Sequence, residues 1–256
     1  MAIGALIIGD EILSGKRVDK HLAHVIATLG GRGLKLAWAR YLGDERDRLT
    51  ATLAETFAGR DIVFSFGGIG ATPDDHTRQA AAAAMHRPLC AHPEAVREIE
   101  SQFGAAARPH RVLMGEFPEG AAIIPNPVNR VPGFSVGDHH FFPGFPQMAW
   151  PMLDWVLAQR YAALAAPPED EAAIIVYDAG ESMLLPLMQE NVMRFPDLTL
   201  FSLPAFLPDG ARRLELGVRG DPAQLPAALA HLRDGVIALG FRWEAAPHAG
   251  ARPAPG

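Results

Sequence analysis

The chain has 256 residues, of which 49% are apolar and 20% charged, and a formal net charge of −6. This composition excludes a disordered polymer, and the length accommodates one large domain or two modest ones with buried cores. Mild acidity argues against a nucleic-acid partner, which needs a concentrated basic face, but leaves small anions open, because backbone N–H groups hold them without net positive charge.

The apolar run 3–8 stops at Asp10 and has no basic flank, so it reads as a buried strand and not as a signal peptide. In 18–29, Leu22, Val25, Ile26 and Leu29 recur at helical spacing until Gly30-Gly31. A strand is predicted at 34–42. A helix follows at 46–58, with Leu49, Leu53 and Phe57 on one face. A third strand, 61–66, leads into a glycine loop and a helix at 73–85 with Pro73 in its first turn. Alternation of strands and helices at these lengths implies a parallel sheet with right-handed crossovers. A helix is predicted at 92–106. Short strands follow at 121–124, 132–136 and 139–142, then a helix at 147–159.

The Ala/Pro/acidic stretch 162–171 is the linker candidate. Beyond it, a strand at 173–176, a helix at 183–195, an antiparallel pair 198–203 and 213–218 across Pro208-Asp209-Gly210, a helix at 225–239 and a strand at 241–244 make a small α+β module. The expected domains are residues 1–162 and 171–246, with 247–256 a flexible tail. Cys90 is the single cysteine, which rules out an internal disulfide and a thiolate cluster and fits a cytoplasmic protein. No stretch approaches the roughly 18 apolar residues of a membrane span.

The first three strands run into Gly9-Asp10-Glu11, Gly43-Asp44-Glu45 and Gly67-Gly68-Ile69-Gly70-Ala71-Thr72-Pro73-Asp74-Asp75. In a parallel sheet these acidic pairs share the carboxyl edge, where ligands bind. Crowded carboxylates there point to a hard cation such as magnesium. Spacing alone does not choose among Asp10, Glu11, Asp44, Glu45, Asp74 and Asp75 as its ligands, and crowding also raises carboxylate pKa values. Gly67, Gly68 and Gly70 let the backbone approach a phosphate, and Thr72 and Asp74 are candidate N-caps for the next helix. Asp10, Glu11, Asp44 and Glu45 also suit plain helix capping. Phe142-Pro143-Gly144-Phe145-Pro146 is a second candidate element, bringing Gly144 and Pro146 to the same crevice. Asn126-Pro127-Val128-Asn129-Arg130 adds polar groups. His76 is a weaker candidate for lining the crevice, and His139-His140 reads as strand residues. Gly217-Val218-Arg219-Gly220 matches an RNA-clamping loop in spacing but ends a strand, which argues against that role.

These motifs, taken in order, resemble the molybdopterin-binding-domain superfamily over residues 3–158. Within it the similarity is nearest to the N-terminal part of the competence/damage-inducible protein A family; the same domain is fused to eukaryotic FAD synthase. The sequence is expected to lack the deamidase domain of longer members. The resemblance implies a three-layer αβα fold followed by a small α+β domain, self-association as a dimer or trimer, and a site made of the glycine loop, Asp44 and Asp75, in which Asp44 and Asp75 hold the metal and Asp10 and Glu11 support it or activate water. It implies either a pyrophosphatase dependent on magnesium, manganese or cobalt and acting on ADP-ribose or FAD-like dinucleotides, or a molybdenum-cofactor protein that binds or adenylylates molybdopterin. The fold also serves as a non-catalytic binding module. One departure is Gly70-Ala71-Thr72, where the family loop usually has Gly-Pro-Thr.

Overall fold

A computed structural model describes residues 1–206 and 210–247. The chain divides into two compact units, the first Met1–Pro167 and the second from Pro168 onward. Pro208 and Asp209 of the expected turn, and residues 248–256 of the expected tail, lie outside the described residues.

The first unit holds β1 (Ile3–Ile8), α1 (Asp10–Leu13), α2 (His21–Gly30), β2 (Trp38–Leu42), α3 (Arg46–Ala58), β3 (Ile62–Phe66) and α4 (Thr77–Ala84). After these come β4 (Leu89–Ala91), α5 (Pro93–Phe103), β5 (Glu116–Pro118), β6 (Ala122–Ile124), β7 (Gly133–Val136), β8 (His139–Phe142) and α6 (Pro146–Arg160). Its main sheet has the order β2-β1-β3-β8-β7-β6. β2, β1, β3 and β8 pair in parallel, and β7 and β6 are added antiparallel. β4 and β5 form a separate antiparallel ribbon.

Both faces of this sheet are covered, so β1, β3 and β8 are buried at every position. Ile7, Phe64 and Phe66 pack under α2 and α6 with Val25, Leu29 and Met152. Leu6, Ile8 and Val63 pack on the other face with Leu49 and Leu53 of α3 and Ala80 and Ala81 of α4. The expected αβα layering with a mostly parallel sheet is borne out.

Some boundaries differ from expectation. The helix predicted at 18–29 starts at His21, where Asp19 accepts from the amides of His21 (2.7 Å) and Leu22 (3.1 Å). The strand predicted from 34 starts at Trp38, after a turn in which Gly33 has φ 66°.

The second unit pairs β9 (Asp170–Tyr177), β10 (Thr199–Phe206), β11 (Arg212–Gly220) and β12 (Trp243–Ala245) in the order β10-β11-β9-β12. All its pairings are antiparallel. Helices α7 (Glu181–Arg194) and α8 (Leu225–Ala238) bury Leu184, Leu232 and Val236 against Ile174, Val176 and Leu216. This is the small α+β module expected after the linker.

Candidate functional site

The chain leaves β1 towards β2 and leaves β3 towards β8, although β1 and β3 are neighbours. Connections that part in opposite directions open a crevice at the carboxyl ends of the two strands. A cavity of about 410 Å³ lies there, walled by Glu11, Asp44, the loop from Gly67 to Thr72, Asp74, Asp75 and Gly144.

The loop owes its shape to its glycines and to what ties them down. Gly67 and Gly68 have φ of 107° and 68°, backbone states that L side chains avoid. A Cβ on Gly67 would overlap the Ile8 carbonyl, and one on Gly70 would overlap the Asp75 carboxylate. Three loop carbonyls are drawn inward. Gly67 O accepts from Thr77 Oγ1 (3.0 Å), Gly68 O from the Thr77 amide (2.9 Å), and Gly70 O from Arg78 Nη2 (2.7 Å). A trans peptide unit is planar, so a carbonyl turned one way sends the next N–H the other way. The amides of Gly68, Ile69 and Ala71 therefore turn away from Thr77 and Arg78. Successive N–H groups turned the same way make an anion-binding concavity.

This arrangement corrects one expectation. Thr72 and Asp74 do not cap the following helix: α4 starts at Thr77, and its N-cap is His76, without a side-chain cap. The reason is a local turn that closes first. Asp75 Oδ2 accepts from the Thr72 amide (2.9 Å) and from Thr72 Oγ1 (2.6 Å), while the Asp75 amide donates back to Thr72 O (3.0 Å). The first amide of α4, that of Thr77, is taken by Gly68 O, and neither Thr77 nor Arg78 lines the cavity, so the loop and not the helix end faces it.

The acidic pairs have different fates. Asp10 and Asp44 are laced together: the Asp10 amide donates to Asp44 Oδ2 (2.8 Å) and the Asp44 amide to Asp10 Oδ1 (3.2 Å). Asp10 stands behind Asp44 and not in the cavity wall. Glu45 is spent as the α3 N-cap, accepting from the amides of Asp47 and Arg48. Glu11 stays in the wall, with Arg17 at 3.5 Å. Partial burial pushes the Asp44 carboxyl above its ordinary range, and the charges of Asp10, Glu11 and Asp74 push it further, while the Asp10 amide pulls it back. Carboxylates that resist ionising together are relieved by a cation, so Asp44, Glu11 and Asp75 fit a divalent metal chemically. Among the described residues no three carboxylate, imidazole or thiol groups are already gathered for one. A hard cation held here would complete its shell with water and phosphate oxygens, as magnesium commonly does.

Other sequence candidates disperse. Pro146 opens α6 in a neighbouring cavity and not in this one. Asn126 and Asn129 join the wall, but Arg130 is turned to Glu98 at 2.8 Å. His76 is outside the wall. His139 and His140 are buried in β8, bonded to Thr56 Oγ1 (3.0 Å) and to Ser135 Oγ (2.8 Å) and Tyr161 Oη (2.7 Å). Two arginines had no assigned role in the sequence reading. Arg78 is 3% exposed and holds three backbone carbonyls, those of Gly70, Leu113 (2.5 Å) and Glu116 (3.2 Å). Its sequence signal is one arginine on the buried face of an Ala-rich helix. Arg17 is the one Lys or Arg side chain in the cavity wall among the described residues. Nothing in its sequence context marked it.

A family model described as a probable molybdopterin binding domain matches residues 4–163. A CinA-like protein of Anaeromyxobacter sp. (strain K) is 35% identical over 176 residues, covering 66% of this chain and 43% of the relative. A CinA-like protein of Desulforapulum autotrophicum is 38% identical over 173 residues, covering 64% of this chain and 41% of the relative. The chain thus spans less than half the length of these curated relatives. The crystal structure of the protein CinA from Thermoplasma acidophilum, described as of unknown function, aligns at TM-score 0.57 and 26% identity, over 61% of this chain and 96% of that one.

Proposed function

The chain belongs to the molybdopterin-binding domain family, on its CinA-like side, and from that premise we propose a divalent-metal-dependent nucleotide pyrophosphatase acting on ADP-ribose or FAD-like dinucleotides. The observation that carries the reading is the juxtaposition in one cavity of a loop whose amides turn away from Thr77 and Arg78 with the carboxylates Glu11, Asp44 and Asp75. The Gly67 amide is taken by Phe142 O (3.0 Å) and the Thr72 amide and hydroxyl by Asp75, so a phosphate would lie on the amides of Gly68, Ile69 and Ala71, with Gly70, Asp74 and Gly144 beside it, and would meet those carboxylates across a cation.

Glu11, Asp44 and Asp75 would hold magnesium, manganese or cobalt, which supplies charge neutralisation for phosphoryl oxygens. Asp10, behind the wall, holds Asp44 in place through the reciprocal amide bonds, and Glu11, in the wall, would take the proton of the attacking water. Water oxygen bonds to one phosphorus, the bridging P–O bond breaks, and AMP leaves. The loop amides bind the anion and gain most when charge builds on its oxygens. The partner in this reading is a small nucleotide phosphate, with neither nucleic acid nor membrane involved, and the working form is a homo-oligomer, dimer or trimer.

The test is AMP release from ADP-ribose and FAD by the purified chain with magnesium, manganese or cobalt, against a chelator control. Metal-dependent AMP is the expected result, and two intact substrates in all three metals would remove the reading. The family description favours a second reading, in which the same cavity binds or adenylylates a molybdopterin. Pterin binding without AMP release would select it. Binding of a nucleotide without turnover would leave a ligand-binding module.

A further inference from the structure

Arg17, the one Lys or Arg side chain in the wall of the phosphate cavity among the described residues, lies against a proposed metal ligand and not against the glycine loop. Its amide donates to Glu11 O (3.0 Å), and the amides of Ser14 and Gly15 donate to Asp10 O (2.9 Å) and Ile12 O (3.1 Å), so the backbone of this turn is fixed. Only the side chain is left to move. Its Nη1 reaches Glu11 Oε1 at 3.5 Å, and the guanidinium lies 6.0 Å from the Phe145 ring centroid. Both contacts are at the long limit of their kind. The Glu11 carboxylate lies beside Gly9 at the end of β1, where a Cβ on that glycine would overlap it. We propose that Arg17 is a placeholder cation, which neutralises Glu11 while the metal is absent and turns to the diphosphate of the ligand once Glu11 is given over to a divalent metal. The proposal rests on the metal-and-phosphate reading above and adds to it a positioning residue that couples the two ligands.

Charge carries the argument. The wall sets Glu11, Asp44, Asp74 and Asp75 against this single cationic side chain. The loop amides hold one phosphate, and a second phosphate beside so many carboxylates needs a cation as well. Lys20 does not supply it, because it lines the adjoining cavity and not this one. Arg78 does not either, being buried and engaged with three backbone carbonyls. The side chains of Arg17 and Glu11 are 55% and 42% exposed, and an exposed pair of this length is weak, so it yields to a divalent cation at small cost. A freed guanidinium gains more from a phosphate, which accepts two parallel N–H bonds from its fork. Each ligand alone meets an obstacle. The metal alone has to displace Arg17 from Glu11. A diphosphate alone draws Arg17 away and leaves the Glu11 carboxylate facing the anion. Together they remove both obstacles.

Manganese and pyrophosphate test this on the whole chain, with manganese affinity read by electron spin resonance and pyrophosphate affinity by calorimetry. Arg17→Gln, at an exposed side chain, is expected to tighten manganese binding by roughly two- to five-fold when pyrophosphate is absent, the size of one exposed ion pair. In excess manganese the same variant should bind pyrophosphate about ten-fold or more weakly, the size of a charge-assisted contact, while in chelator its loss should stay under about three-fold. Arg17→Lys keeps the charge and should recover part of the loss seen in manganese. Manganese binding that is unchanged or weaker in Arg17→Gln would overturn the proposal, and so would an equal pyrophosphate loss with and without the metal, which is the mark of a fixed charge. The parent chain separates this failure from failure of the underlying reading. A parent that binds only one of the two ligands, or neither, removes the joint site and the placeholder together. A parent in which the two strengthen each other, with both affinities untouched by Arg17→Gln, keeps the joint site and loses the placeholder.

Discussion

At the scale of single residues, the site works by spending stability on electrostatics. Asp44 is held partly buried among Asp10, Glu11 and Asp74, so its pKa is raised in the folded state. A carboxyl with a raised folded pKa contributes stability fully at pH values below its unfolded pKa and loses that contribution as pH rises through the folded one. Asp44→Asn is therefore expected to raise Tm at pH 7, with the gain shrinking as pH falls into the ordinary carboxylate range, while metal-dependent turnover is lost. A variant that melts lower than the parent at pH 7 would contradict the like-charge account. Asp75→Asn makes the complementary case. The amide oxygen can still accept from Thr72, so the turn should survive and unfolding free energy should stay within about 1 kcal/mol of the parent's, whereas AMP release disappears. Undiminished release would take Asp75 out of the mechanism. These two carboxylates were legible in the sequence because each follows a strand of a parallel sheet. Arg78 and Arg17 were not, since their roles depend on the Gly70 carbonyl and the Phe145 ring, which are brought near only by the tertiary fold.

At the scale of elements, α4 and β8 both hold the glycine loop, β8 through the Gly67 amide on Phe142 O (3.0 Å). α4 braces the glycine loop through Thr77 and Arg78. Arg78→Met removes a buried guanidinium that satisfies three carbonyls and leaves them unpaired. The expected cost is on the order of 3 kcal/mol by denaturant titration, with weakened phosphate binding. A change under about 0.5 kcal/mol would show that the loop does not need this brace. β8 carries the buried His139 and His140, pushed down by burial to about 4 and about 3. Between these values and the ordinary 6.5 the unfolded chain binds protons that the native state refuses. Stability should thus fall as pH drops from about 6.5 towards 4, by roughly 3 kcal/mol for His139 alone. Unfolding midpoints at pH 7 and 4.5 measure it, and His139→Gln should flatten the slope. A parent midpoint that does not move would contradict the buried, neutral histidines.

Helix α3 was readable to the residue, because Glu45 caps it and Leu49 and Leu53 mark its face. α4 was overestimated because Pro73 suits a first helical turn, while the Thr72–Asp75 turn, built on one carboxylate, won locally. The three-residue strands β4 and β5 were invisible, being too short to show a period.

At the scale of the whole molecule, each unit has its own core, with Ile7, Val25 and Met152 in the first and Ile174, Leu216 and Val236 in the second. The join runs through Ala165-Ala166-Pro167-Pro168-Glu169, the stretch the composition singled out. A fragment of residues 1–167 is expected to fold and to bind pyrophosphate with the affinity of the full chain, as titration would show. Loss of cooperative unfolding in that fragment would mean that the first unit depends on the second. The central claim is narrower: the carboxylates of Glu11, Asp44 and Asp75 and the amides of the glycine loop form one joint metal-and-phosphate site. Two ligands of one joint site must strengthen each other by the same factor. The direct measurement is manganese affinity with and without ADP, together with ADP affinity with and without manganese. Equal mutual enhancement of about ten-fold or more, lost in Asp44→Asn, is the predicted result. Independent binding of the two, or enhancement that persists in Asp44→Asn, would contradict it.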